Sequence, residues 1–152
     1  MDLILWRHAE AQDEAPGGDD LRRALTARGE KQAARMAAWL DRQLPEGMRI
    51  YCSPALRCEQ TVMPLGRKYK VREEIAPGAE AQAILDVAGW PDAKHPVLIV
   101  GHQPTLGEVA AQLLELRSGV SVRKGAVWWF RSRERGGDDQ TVLLAALSPD
   151  LV

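Results

Sequence analysis

Two short runs of apolar residues break an otherwise mixed pattern: Leu3-Ile4-Leu5-Trp6, which ends in Arg7-His8, and Val97-Leu98-Ile99-Val100, which ends in Gly101-His102-Gln103-Pro104. Runs of this length and composition predict strands buried on both faces of a largely parallel sheet. In open α/β sheets, ligands gather at the carboxyl ends of such strands. A third strand is predicted from Met48 to Cys52, leading into Ser53-Pro54-Ala55-Leu56-Arg57. Serine as N-cap and proline at the first helical position predict a helix start there, with Arg57 in or just after the first turn and able to lean back toward the strand ends. The pattern therefore brings Arg7, His8, Arg57 and His102 toward one pocket.

Between these strands the apolar spacing becomes helical. Ala33, Met36, Ala37, Leu40 and Leu44 form one stripe, with Thr26 as N-cap and Gly29 allowing close packing in the first turn. Ala11 to Asp20 reads as a loop over the mouth of the pocket. Pro64 shortens the helix that carries Arg57. Lys70 to Ile75 alternates as an edge strand would, and Ala79 to Val87 reads as a short helix with Glu80 in its first turn. Thr105-Leu106-Gly107-Glu108 has the form of a capping box, predicting a helix whose N-terminal amides face the pocket and suit a phosphate. Ala126 to Ser132 and Thr141 to Leu147 read as strands joined by a polar Arg133 to Gln140 loop, an antiparallel hairpin closing the sheet. Trp128 and Trp129 must face opposite sides of it, one in the core and the other covered by a helix. Strands alternating with helices predict one domain over residues 1–152, a three-layer α/β/α sandwich with a mixed, mostly parallel sheet.

Composition narrows the function. The 152 residues include 20 Lys and Arg against 21 Asp and Glu, so anion recognition has to be local. A general attraction to nucleic acid or anionic lipid is not expected. No basic segment precedes the first apolar run and none approaches the ~18 residues of a membrane span, so a soluble cytoplasmic protein is expected. Cys52 and Cys58 form neither a disulfide framework nor a zinc site and are expected in the core. Without a glycine-rich nucleotide loop or clustered metal ligands, no cofactor and no metal are expected.

Arg7 and Arg57 together offer about ten N–H donors in planar forks, a match for phosphoryl oxygens. His102 adds a donor if protonated. Neighbouring cations lower the pKa of His8, leaving a neutral nitrogen able to attack phosphorus and form a phosphohistidine intermediate. Arg23 is a candidate further phosphate contact, and Glu80 or Glu10 a candidate acid.

This constellation resembles the histidine phosphatase superfamily, the phosphoglycerate mutase-like clan. The resemblance rests on Arg7-His8, Arg57 in a Ser-Pro-x-x-Arg signature, and His102, with Leu25-Thr26-x-x-Gly29 and Glu59-Gln60-Thr61 alongside. It covers Leu3 to about Leu147. It implies His8 as phosphoryl acceptor, with Arg7, Arg57 and His102 lining the phosphate pocket. Within the superfamily the sequence is most similar to the small SixA-type phosphohistidine phosphatases, through Arg7-His8-Ala9-Glu10, Arg23-x-Leu25-Thr26, Gly101-His102-Gln103-Pro104 and Lys124-Gly125-Ala126. Larger members place glycine where Ala9 stands, and insert a segment between the second arginine and the late histidine that supplies an acid and covers a small substrate. The short interval from Arg57 to His102 implies an uncapped site open to a histidine-phosphorylated protein. A small-molecule phosphomonoesterase and a non-catalytic phosphate-binding module are the alternatives.

Overall fold

Alternation inside the two apolar runs sorts the core into two halves. In the computed structural model, which describes all 152 residues, Ile4, Trp6, Leu98 and Val100 face one side of the sheet and Leu3, Leu5, Val97 and Ile99 the other, all fully buried. This is the period-2 geometry of strands covered on both faces. The strands are β1 (Asp2–Arg7), β2 (Arg49–Cys52), β3 (Lys70–Val71), β4 (Val97–Gly101), β5 (Val127–Arg135) and β6 (Asp138–Leu147). They lie in the order β3-β2-β4-β1-β5-β6. β3, β2, β4 and β1 pair parallel with one another, whereas β5 pairs antiparallel with both β1 and β6.

Helices α1 (Ala27–Gln43) and α2 (Leu56–Val62) supply Met36, Ala37, Leu40, Cys58 and Val62 to the first face. Helices α3 (Ala81–Ala88) and α4 (Thr105–Leu113) supply Ile84, Leu85, Ala88, Leu106, Val109 and Ala110 to the second. The result is the predicted α/β/α sandwich. Thr26 caps α1, its hydroxyl accepting from the Gly29 N–H at 3.0 Å, a bond worth about 1 kcal/mol. Trp129 packs edge-on against Trp39 of α1, while Trp128 lies over Phe130 on the opposite face.

One local expectation is refined and three fail, each of the three for a physical reason. The Ala11 to Asp20 loop contains a 3₁₀ turn at Pro16–Gly18 and leads into a second at Asp20–Arg22. The edge strand predicted to Ile75 ends at Val71. Ile75, 1% exposed, instead enters the second core face through a 3₁₀ turn at Glu73–Ile75. Helix α2 begins at Leu56 rather than at Pro54, because Ala55 is extended and the Ser53 hydroxyl, besides accepting from the Ala55 N–H, accepts from His102. The polar hairpin loop is paired through Arg135 and Asp138. It closes on Gly136 and Gly137, both at positive φ, as a tight two-residue turn requires, and polar side chains on an exposed ribbon leave the backbone free to pair.

At Gly29 helix α1 closes tightly on the segment that follows β1. A Cβ built there would lie 1.9 Å from the main-chain oxygen of Glu10, just beyond β1. Gly29→Ala should therefore cost about 1–3 kcal/mol through overpacking, against roughly 1 kcal/mol of helix propensity gained. A thermal midpoint lowered by several degrees is expected. An unchanged midpoint would show that the β1 exit yields freely.

Candidate active site

Parallel pairing of β1 with β4 aligns Arg7 with Gly101, and the ladder ends on a bond from the His8 N–H to the Gly101 oxygen at 3.1 Å. One residue past this rung on each strand stand the two histidines, with ring centroids 5.3 Å apart. Helix α2 brings Arg57 to the same place, with NH2 3.5 Å from His102 Nδ1. Arg7, His8, Arg57 and His102 thus share one cavity of about 210 Å³, with Arg23, Asp13, Gln103 and Lys124 also in its wall. His8 is 7%, Arg57 3% and His102 5% exposed. From the segment between Arg57 and His102 only Pro77 reaches this cavity, in keeping with the expected uncapped site.

Hydrogen bonds set the state of each imidazole. His8 Nδ1 lies 2.7 Å from the Ala9 carbonyl, which can only accept, so Nδ1 carries the proton and Nε2 keeps its lone pair. Burial pushes the His8 pKa down to about 4, and Arg57, Arg7 and Arg23 push the same way against the Ala9 carbonyl. His102 falls to about 3, chiefly through burial and then through His8 and Arg57. Arg57 can only donate, so it faces an unprotonated His102 Nδ1, and His102 Nε2–H donates to Ser53 Oγ at 2.7 Å.

Both guanidinium groups are held by main-chain oxygens. Arg7 NH1 donates to Val122 O at 3.0 Å and Arg57 NH1 to Asp20 O at 2.8 Å, while the buried Nε of each has no partner. Thr61 ties α2 to the end of β1: its hydroxyl accepts from the Ala9 N–H and donates to Arg57 O.

Other sequence expectations are redistributed. The amides of α4 are already used: Leu106 N–H donates to His102 O, Gly107 N–H to Gln103 Oε1 and Glu108 N–H to Pro104 O. Gln103 therefore supplies the side-chain cap, whereas Thr105 lies inside the helix and donates to Ala79 O. Glu80 is exposed, occupies the N-cap position before α3, and does not line the cavity. Glu10 points away, its carboxylate accepting from the Thr26 hydroxyl at 2.7 Å. Arg23 reaches the cavity while bonded to Gln12 O and Asp20. Cys52 and Cys58 are buried and unpaired. Burial pushes the Cys58 thiol up to about 12, so it stays protonated although it lies 3.4 Å from His102 Nε2.

Sequence reasoning missed Asp20 and Ser53. The Asp20 carboxylate bridges Arg57 NH2, at 3.1 Å, and Arg23 Nε, at 2.9 Å. Loop residues carry no periodicity to announce such a contact. The one available signal was Asp20 standing three positions before Arg23.

Two outcomes follow from this geometry. In the free protein the His8 ring should remain neutral down to about pH 5, which an imidazole NMR titration reads directly; protonation near pH 6.5 would show that burial does not govern it. Asp20→Asn keeps the backbone contact to Arg57 but removes a carboxylate that competes with a phosphoryl group. With its Asp20 end exposed, the pair is worth up to about 1 kcal/mol, so inorganic phosphate should inhibit the variant up to roughly fivefold more tightly. Weaker inhibition would show instead that Asp20 positions Arg57 for the anion.

Residues 3–80 match the family model of the histidine phosphatase superfamily (branch 1). A phosphohistidine phosphatase SixA homolog from Haemophilus influenzae is 31% identical over 136 residues, covering 80% of this chain and 82% of that protein. Escherichia coli phosphohistidine phosphatase SixA is 30% identical, with 74% of each chain covered. The solved structure of the protein histidine phosphatase SixA complexed with tungstate superposes with a TM-score of 0.79 at 25% identity, over 99% of both chains. The chain belongs to branch 1 of the histidine phosphatase superfamily.

Proposed function

We propose that this protein removes the phosphoryl group from phosphohistidine on another protein, with His8 as the transient phosphoryl acceptor. The observation that carries the mechanism is the state of His8: Nδ1 is tied to Ala9 O, and Nε2 remains unprotonated in a cavity walled by Arg7, Arg23 and Arg57. Nε2 attacks phosphorus while the P–N bond to the substrate imidazole breaks and its electron pair returns to that ring. Water then attacks phosphorus, the bond to His8 breaks, and inorganic phosphate leaves. Arg7 and Arg57 hold the equatorial oxygens as charge redistributes. An incoming dianion stabilises the imidazolium form of His102 and turns it into a further donor.

The substrate class is supported by the SixA relatives and by the leaving group. An imidazole departs more readily than the alkoxide of a sugar phosphate, so a dedicated acid is less necessary. Neither Glu80 nor Glu10 is placed to act as one, and the one carboxylate in the cavity wall, Asp13, is exposed. An open cavity also admits a side chain presented on a protein surface. The free thiols of Cys52 and Cys58 suit the cytoplasm, and no helix is long and apolar enough to cross a membrane.

The test is phosphate release from a histidine-phosphorylated phosphotransfer protein, run beside para-nitrophenyl phosphate and sugar phosphates. Preference for the phosphoprotein is expected, with turnover abolished in His8→Ala. Arg57→Ala should retain a trace of activity, because it removes transition-state stabilisation and leaves the nucleophile. Equal turnover of His8→Ala and wild type would refute the mechanism. Faster turnover of the sugar phosphates would move the function to small-molecule metabolism.

A further inference from the structure

A second cavity, of about 300 Å³, adjoins the first and shares Arg7 and Lys124 with it. No hydrophobic residue lines it. Four cations do, Arg7, Arg28, Arg123 and Lys124, against two carboxylates, Glu10 and Asp150. The carboxylates offset only part of that charge. Glu10 accepts from Thr26, and the exposed Asp150 approaches only Arg123, at 3.6 Å. Arg7, Arg28 and Lys124 take part in no ion pair. In a chain with a net charge of −1, this is a local concentration of positive charge beside the nucleophile.

Two features set this patch apart from incidental surface charge. Arg28 is the second residue of α1, where the helix dipole disfavours a cation, so its charge works against local stability. The loop carrying Arg123 and Lys124 is also fixed to the catalytic strand. Gly125 N–H is shared between Arg7 O and His8 O, Trp6 Nε1–H donates to Gly125 O, and Arg7 N–H donates to Ala126 O. The position of the loop relative to His8 is therefore set by backbone bonds.

We infer that this cavity is a docking site for carboxylates on the substrate protein, taking acidic side chains that flank its phosphohistidine while the phosphoryl group occupies the His8 cavity. The inference rests on the proposed phosphohistidine phosphatase reading. Charge complementarity selects the partner: cations on an exposed rim attract an acidic face, speed encounter, and repel a basic one. Arg123, with its side chain 70% exposed, extends that rim outward to where a macromolecule makes contact.

The experiment compares Arg28→Glu and Arg123→Glu with wild type on a histidine-phosphorylated phosphotransfer protein and on free phosphohistidine. On the phosphoprotein, kcat/KM should fall about tenfold in each variant, and added salt should lower the wild-type value far more than the variant values. Free phosphohistidine should be turned over equally by all three. The thermal midpoint of Arg28→Glu should be unchanged or raised, since an acid suits the first turn of α1. Unchanged phosphoprotein turnover in both variants, or equal losses on both substrates, would overturn the docking site and leave the proposed function standing. Failure of wild type on the phosphoprotein would instead overturn the function itself.

Discussion

The bond from the His8 N–H to the Gly101 oxygen is the constraint on which the site depends. It is the last rung of a parallel ladder whose residues Leu3–Trp6 and Val97–Val100 are fully buried, so the register cannot slip without turning apolar side chains to the wrong face. Because that register is fixed, the two histidines emerge side by side, at a ring separation no loop would hold as closely. Helices on both faces then bury the ladder. Thr61, Ser53 and the Gly125 loop fasten the polar exits to it.

Placing a buried Arg57 and a half-buried Arg7 next to two buried histidines is costly in a folded chain, since full desolvation of a cation carries a penalty of several kcal/mol. The structure offsets it with main-chain oxygens from Val122 and Asp20, and with the Asp20 carboxylate on Arg57. The residual strain is useful chemically. Cations that are imperfectly satisfied in the resting state gain most when an anion arrives. The same burial keeps His8 unprotonated, and therefore nucleophilic, at neutral pH.

The parts of the fold governed by strict periodicity were legible in the sequence. The two apolar runs, the stripe on α1 and the Thr26 cap were read correctly because burial and capping leave local signatures. The four residues gathered at the strand ends were legible because each follows a buried strand or opens a helix. What failed was decided by distant partners. Ser53 resembles an N-cap, but its hydroxyl accepts from His102 as well as from the Ala55 N–H, and helix α2 begins two residues after Pro54. Thr105 to Glu108 resembles a capping box, yet Gln103, outside that motif, supplies the cap. Asp20 is unremarkable until a loop of irregular backbone lays it on Arg57 and Arg23.

Selectivity in such a site has to come from beyond the phosphoryl group. A tetrahedral oxyanion offers the same oxygens whether attached to a sugar, a serine or an imidazole, so Arg7, Arg57 and His102 cannot by themselves distinguish these substrates. The leaving group supplies one filter, because neither Glu80 nor Glu10 reaches the cavity and its one carboxylate is the exposed Asp13, so a group that departs without an acid is favoured. A second filter requires contacts outside the cavity, held at a fixed distance from His8. Main-chain bonds from Gly125 and Ala126 to the end of β1 give the loop carrying Arg123 and Lys124 that rigidity, so the strand that presents the nucleophile also fixes the surface beside it.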